Sequence, residues 1–326
     1  MRKETKHLIK EMLRFEMSGI ASHQAIFGAK GSGKTLITRY LQRIMNSETK
    51  LNVIYANCRK HNTSFKIFAY FLDVQARGAS LSELYNRFCQ NYQGNTVVIL
   101  DEIDLMSPKD KRREILYFLS RSKNPYMVIM LSNNHRFLLE LDDSTKSSLQ
   151  PKAIYFKNYD AEQLQDILRD RAKHGLQRWD DGMLARIAAL ATKRTHSDAR
   201  VAIKTLFYSA LEAYQDTESC FEQARRDVIV EVFNNLSGPL LFILQAITTS
   251  KSDFAKEIYQ KYKKVSASHR EKPFSYVHYY ANLSYLQSMG LVALIATKVG
   301  CTYANRVMLT FHKSAFDSIY SLRFGS

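Results

Sequence analysis

Short, almost continuous apolar runs alternate with stretches of helical periodicity over the first half of the chain. The runs Ala25–Phe27, Val53–Ala56, Val97–Leu100, Met127–Leu131 and Ala153–Phe156 predict five strands. Between them lie helical patterns at Leu36–Met45, at Ser80–Tyr92, opened by Ser80 and Ser82 with Glu83 behind them, and at Lys109–Arg121 after Pro108. Strands separated by helices predict a parallel α/β sheet that binds its ligand at the carboxyl ends of the strands.

After Tyr159 the pattern becomes purely helical. Asp160 is the expected N-cap of the first of these helices, with Gln163 at capping-box spacing and Leu164, Ile167 and Leu168 following. Within THSDARVAIKTLFYSALEAY at 195–214, Ser197 is the expected N-cap of another, which puts Arg200 in its first turn. From about Val230 the pattern changes again: helices at Pro239–Thr248, Phe254–Lys263 and Ser275–Met289, then strands at Leu291–Ala296 and Val307–Phe311 joined by a polar loop. Helices followed by a hairpin suggest a winged helix. On the 275–289 helix, Tyr276, Tyr279, Leu283 and Leu286 share a face expected to point inward, opposite Val277, Ala281, Ser284 and Ser288. The small side chains of that second face suit either a DNA groove or another helix. The expected organisation is an α/β nucleotide-binding domain over 1–158, a helical lid over 159–229 and a winged-helix domain over 230–326.

With 326 residues, the chain is long enough for two or three units that each bury a core. Its longest apolar stretch, Pro239–Ile247, is interrupted by Gln245 and falls far short of a membrane span, and MRKETKHLIKEM at the start lacks a signal-peptide apolar segment. The expectation is a cytoplasmic, nucleoid-associated protein, or a nuclear one in a eukaryote, without a membrane partner. Cys58, Cys89, Cys220 and Cys301 show no CxxC spacing, so neither a zinc site nor a disulfide framework is indicated. A formal net charge of +16, from 47 basic and 31 acidic residues, favours a polyanionic partner, nucleic acid foremost. The excess is spread in clusters such as Lys109–Arg113 and Lys261–Lys264, so a merely solubilising surface is the competing explanation.

The sharpest chemical signal is GAKGSGKT at 28–35, which satisfies GxxxxGK[ST] and follows the strand-like HQAIF at 23–27. Gly28, Gly31 and Gly33 let backbone N–H groups approach a polyphosphate, Lys34 neutralises charge on the β and γ phosphates, and the Thr35 hydroxyl can ligate Mg²⁺. Leu36 follows at the start of the helix. About 70 residues on, VVILDEID at 97–104 delivers Asp101 to the metal shell and Glu102 to polarise a water. ATP or ADP with Mg²⁺ are therefore the expected ligands.

In this order the motifs resemble the AAA+ ATPases of the origin-recognition initiator family, the archaeal relatives of origin recognition complex subunit one and cell division cycle protein six. The resemblance covers nearly the whole chain. It implies that Asn133, in SNN at 132–134, is the sensor-one residue that helps position the attacking water. The stretch SSLQPKAIYFKNYDAEQLQDILRDRA at 147–172 is also similar. SDAR at 197–200 matches the family's GDAR-like sensor-two motif with Ser197 in place of the glycine, which makes Arg200 the γ-phosphate sensor. GCTYANR at 300–306 is similar to the family's wing tip, keeping Gly300, Tyr303 and Arg306. The implied DNA contacts are Ser284 on the preceding helix, with Lys298, Tyr303, Asn305 and Arg306 on the wing. Arg59, Lys60 and Lys66 would contact DNA from a helical insertion at 58–78. Arg2 would lie near the adenine, with no N-terminal arm before it. Where relatives carry an arginine finger, LDDSTKSSL at 141–149 has Ser144, with Lys146 nearby, which would leave a slow ATPase if a neighbour's finger is required.

The resemblance implies an ATP-binding initiator that recognises duplex origin DNA, uses slow hydrolysis as a switch, and helps to recruit a replicative helicase alongside paralogous initiators. The alternative is a diverged DNA-binding regulator, or a plasmid or virus maintenance protein, in which ATP is mainly structural. A helicase-type motor, suggested by the superficial likeness of DEID to DEAD, fares worst because the chain holds no second motor core.

Overall fold

The computed structural model describes residues 2–75, 77–107, 110, 113–134, 137–211, 216–234, 236–299 and 302–325. They form two compact units. One runs to Asp160 and includes His196–Ala199; the other comprises Ala161–Thr195 and the chain from Arg200 onward.

The first unit opens with helix α1 (Lys3–Ser18) and continues β1 (Gln24–Gly28), α2 (Lys34–Glu48), β2 (Asn52–Asn57), α3 (Ser64–Phe71), α4 (Leu81–Asn91), β3 (Thr96–Asp101), α5 (Glu114–Ser120), β4 (Tyr126–Ser132), α6 (Asp143–Leu149) and β5 (Lys152–Phe156). The five strands form one parallel sheet in the order β2-β3-β4-β1-β5. β3 and β4 are buried along their whole length, which explains their unbroken apolar runs: a parallel sheet is covered on both faces. Their alternate residues feed two separate cores. Val97, Ile99, Met127 and Ile129 pack with Leu8, Met12 and Phe15 of α1 and Leu41 of α2. Val98, Leu100, Val128 and Met130 pack with Phe68, Leu84, Phe88, Ile115 and Leu116 from the helices of the other face.

Helix α4 has Ser80 as its N-cap, where the structure forms a capping box: the Ser80 hydroxyl accepts from Glu83 N, and the Glu83 carboxylate accepts from Ser80 N. The helix expected over Lys109–Arg121 is shorter. It begins at Glu114, after Arg113 turns the chain with φ 46°, while Pro108, Lys109, Lys111 and Arg112 lie outside the described residues. Helix α1 lies under β5, and its buried Glu11 is paired with Arg14 at 2.8 Å and with Lys152 of β5 at 3.0 Å.

The second unit begins with α7 (Ala161–Gly175), α8 (Asp181–Thr195), α9 (Ala199–Leu211) and α10 (Thr217–Asn234). Ser197 is not the cap of α9. Its φ is +63° and the helix starts two residues later, so Asp198 is the residue that precedes it. His196 and Ser197 are both left-handed, a conformation that suits glycine, which explains why the resembled motif carries glycine at this place.

The chain then forms α11 (Gly238–Thr249), α12 (Ala255–Ser268), α13 (Tyr276–Ser288), the hairpin β6 (Val292–Val299) and β7 (Thr302–Leu309), and α14 (Lys313–Phe324). Leu241, Ile243 and Leu244 of α11, Ile258 and Tyr262 of α12, and Tyr279, Leu283 and Leu286 of α13 share one core with Phe233 and Phe316. Tyr276, expected inward, is 43% exposed and meets Tyr259 edge-on with centroids 5.1 Å apart. The two strands pair from Val292 opposite Leu309 to Val299 opposite Thr302, so residues 297–299 and 302–306, expected in a loop, belong to the wing. The mostly polar residues of this outer part, 297–298 and 302–306, show no hydrophobic alternation to announce a strand, and Thr297, Thr302 and Tyr303 carry its β propensity instead.

Candidate functional site

The sheet order brings the nucleotide motifs together. β1 lies beside β4 and β4 beside β3, and all run the same way, so the loop after Gly28, the end of β3 at Asp101 and the residue after Ser132 meet at one edge. The loop is shaped by Gly31 and Gly33, with φ of 76° and 88°. A side chain at Gly31 would collide with Asp198, and one at Gly33 with the Tyr159 hydroxyl, so size as well as backbone conformation demands glycine there. Leu36 is 61% exposed on the first turn of α2.

Lys34 is only 7% exposed. Its ammonium donates to Gly28 O at 2.7 Å, Ala29 O at 2.9 Å and Asn133 Oδ1 at 2.8 Å. Thr35 Oγ1 donates to Asp101 Oδ2 at 2.7 Å. A hydroxyl and a carboxylate side by side are hard oxygen donors suited to Mg²⁺, which keeps several waters and relies on phosphate oxygens to complete its shell. Among the described residues no group of three or more His, Cys, Asp or Glu side chains could hold a metal by itself. Thr35 and Asp101 fit a Mg²⁺ that arrives with its nucleotide.

Glu102 adopts φ 53°, ψ 42° and accepts from Asn57 Nδ2 at 3.1 Å. Asp104, next along, has its carboxyl raised above the ordinary range, chiefly by burial, against a lowering contribution from the Ser132 hydroxyl. Arg2 sits over the Tyr159 ring, 3.8 Å from its centroid, and donates to Ser32 O and Lys157 O at 3.2 Å each. Arg200 occupies the first turn of α9 and belongs to the second unit.

Two residues of β2 at this edge escape sequence reasoning. Tyr55 donates its hydroxyl to Asp101 Oδ2 at 2.7 Å, and Asn57 holds Glu102. The signal available was the polar end of NVIYAN, but β2's neighbour, the strand ending in Asp101, is set by sheet order, which spacing along the chain does not reveal.

An AAA domain family matches residues 20–139. The ORC1-type DNA replication protein 1 of Sulfolobus acidocaldarius is 30% identical over 297 residues, covering 81% of this chain and 73% of the relative. The chain belongs to the ORC1-type DNA replication protein family. Among solved structures, the Aeropyrum pernix ORC1 protein in complex with DNA shares the fold with a TM-score of 0.73 at 22% identity, over 98% of this chain and 91% of that one. The Cdc6p structure from Pyrobaculum aerophilum gives 0.59 at 21% identity, over 98% and 92%. The fold of this ORC1-type chain is thus an AAA+ parallel-sheet domain followed by a helical lid and a C-terminal winged helix.

The residues expected on DNA fall in two places. In the first unit, Arg59 follows β2 half-buried, while Lys60 and Lys66 are exposed, Lys66 Nζ donating to Asn62 Oδ1 at 3.0 Å. Beside them His61 stacks on Tyr70, centroids 4.1 Å apart, and burial together with Lys60 and Lys66 lowers the imidazole pKa. In the second unit, Ser284 is exposed on α13 together with Val277 and Ala281. Asn305 and Arg306 lie within β7: the Asn305 amide donates to the Tyr280 hydroxyl, and Arg306 Nε donates to Asp253 Oδ2 at 2.6 Å. Lys298 and Tyr303 pair across the hairpin, but their side chains, like Gly300 and Cys301, lie outside the described residues. Ser144 donates to the Asp142 carboxylate, and Lys146 Nζ to Leu139 O at 3.2 Å.

Proposed function

We propose that this chain is an ATP-binding replication initiator that grips duplex origin DNA through its winged helix and the α3 segment, with slow ATP hydrolysis resetting its state. The observation that carries the reading is the convergence of Lys34, Thr35, Asp101 and Asn133 at one sheet edge in an ORC1-type chain. The DNA bound by the Aeropyrum pernix ORC1 protein supports the choice of ligand, as does the charge of +16. The functional division follows the sequence: nucleotide domain over 1–158, lid over 159–229 and winged helix over 230–326.

In this reading Lys34 neutralises charge on the β and γ phosphates, and Thr35 and Asp101 hold the metal. A Mg²⁺ held by Thr35 and Asp101 would supply charge neutralisation to the phosphates during hydrolysis. Glu102 orients the attacking water, and its release from Asn57 is the step that readies it. Asn133, tied to Lys34, helps to align that water, and Arg200 senses the γ-phosphate to set the position of the lid. Arg59, Lys60 and Lys66, with Ser284, Lys298, Tyr303, Asn305 and Arg306, contact DNA. Recruitment of a replicative helicase and pairing with paralogous initiators complete the proposal.

The test is a titration of purified protein into labelled duplex from candidate origins and into scrambled duplex, with ATP, with ADP and without nucleotide. Origin preference that changes with nucleotide is expected, and Glu102→Gln should hold the ATP-bound behaviour. Binding equal on all duplexes and blind to nucleotide overturns the initiator reading in favour of a regulator in which ATP is structural, the reading that Ser144 at the finger position favours.

A further inference from the structure

β2 reaches the acid pair twice. It runs parallel to β3 with Tyr55 beside Ile99 and Asn57 beside Asp101, and alternate strand residues share a face. Asn57 serves Glu102, whereas Tyr55 serves Asp101: its hydroxyl donates to the same Oδ2 that accepts from Thr35, at 2.7 Å in each case. Asp101 Oδ1 accepts from Glu102 N at 2.9 Å. Both carboxylate oxygens are therefore tied, and the oxygen nearest Thr35 is aimed by two hydroxyls.

Tyr55 is itself held. The Arg39 guanidinium lies 4.2 Å from its ring centroid. Arg39 Nη1 donates to Gln42 Oε1 at 3.1 Å, and Gln42 Nε2 donates to Val53 O of β2 at 3.1 Å. Ring, guanidinium and strand thus form a closed brace.

We propose that Tyr55, braced by Arg39, is a positioning residue that aims the Asp101 carboxylate at the metal shared with Thr35. The inference rests on the nucleotide reading of this site. Mg²⁺ tolerates little departure from octahedral geometry, so a carboxylate free to rotate binds it less well. Groups that orient a metal ligand from behind are typically worth 10 to 100-fold in metal affinity.

The experiment uses the full chain, wild type and Tyr55→Phe, with a fluorescent ATP analogue titrated with Mg²⁺ from an EDTA baseline. Tyr55→Phe keeps the ring under Arg39 and removes only the hydroxyl. Nucleotide affinity without metal should match wild type, while the Mg²⁺ concentration for half-maximal tightening rises about tenfold. Hydrolysis should be slow at limiting Mg²⁺ and recover at saturation. Arg39→Ala should shift the midpoint the same way by less. A Tyr55→Phe midpoint within twofold of wild type overturns the inference; should that variant fail to fold, an unchanged midpoint in Arg39→Ala does so instead. Absence of nucleotide binding by the wild type overturns the site reading, and this inference with it.

Discussion

Lys34 and Asn133, 99 residues apart in sequence, share a hydrogen bond of 2.8 Å that ties the glycine loop to the end of β4. The same ammonium also holds Gly28 O and Ala29 O, so Asn133 does not by itself keep Lys34 in place. Asn133→Ala should therefore leave ATP affinity within a few-fold of wild type and slow single-turnover hydrolysis about 100-fold, the scale for loss of one preorganised polar group. Lys34→Ala should abolish nucleotide binding. Equal hydrolysis by Asn133→Ala and wild type would remove Asn133 from the mechanism.

Arg306 offers a second test, because its partner is already visible. Its guanidinium is 48% exposed and paired with Asp253, whose carbonyl also accepts from Val307 N at 2.7 Å. If Arg306 meets a phosphate, Arg306→Ala should weaken duplex binding and flatten the plot of log affinity against log salt by about 0.9. Asp253→Asn, which frees the guanidinium, should steepen that plot. A lowered melting temperature with an unchanged salt slope would instead assign Arg306 to holding β7 against the loop before α12.

The sheet was legible because a parallel strand buried on both faces has nowhere to put a polar residue, and the loop because phosphate binding fixes residue types at fixed spacing. α1 was not. Its Leu8, Met12 and Phe15 recur at helical spacing, but charged residues surround them and Glu11 is buried among them as an ion pair. α14 escaped for a related reason: only Phe316 and Ile319 are buried along it, while Leu322 is exposed and polar residues are interspersed among its aromatics. Tyr55 and Asn57 were invisible as site residues, since their role arises only when β2 lies against β3. The motif residues announce the chemistry; the residues that aim them are placed by topology.

His23 predicts how stability responds to acid. The ring is buried, Nδ1 accepts from Val128 N at 3.0 Å, and burial lowers its pKa to about 4. As pH falls below about 6.5 the unfolded chain takes up a proton that the folded chain refuses until about pH 4. Stability is therefore full above pH 6.5 and declines across this window, by on the order of 3 kcal/mol in the limit. His23→Asn, which retains an acceptor, should flatten urea stability between pH 6.5 and 4. Glu11 behaves differently: burial opposes ionisation, but hydrogen bonds from Lys152, Ser22 and Arg14 outweigh it and bring the carboxyl to about 2. Its contribution is present above about pH 4.5 and is lost as pH falls toward 2, so Glu11→Gln should lower stability at neutral pH without removing the His23 slope.

Ser197 provides the last test, one of backbone rather than charge. Its φ of +63° lies where a side chain costs energy, and the residue is 5% exposed. Glycine removes that cost but loses more entropy on folding, so Ser197→Gly should range from neutral to about 1 kcal/mol more stable. Ser197→Val, β-branched in the same conformation, should lose about 2 kcal/mol. Urea unfolding of the three proteins decides it. The order glycine, serine, valine in falling stability would show that the left-handed turn sets the residue at this position; a valine variant as stable as wild type would show that the turn is free to change.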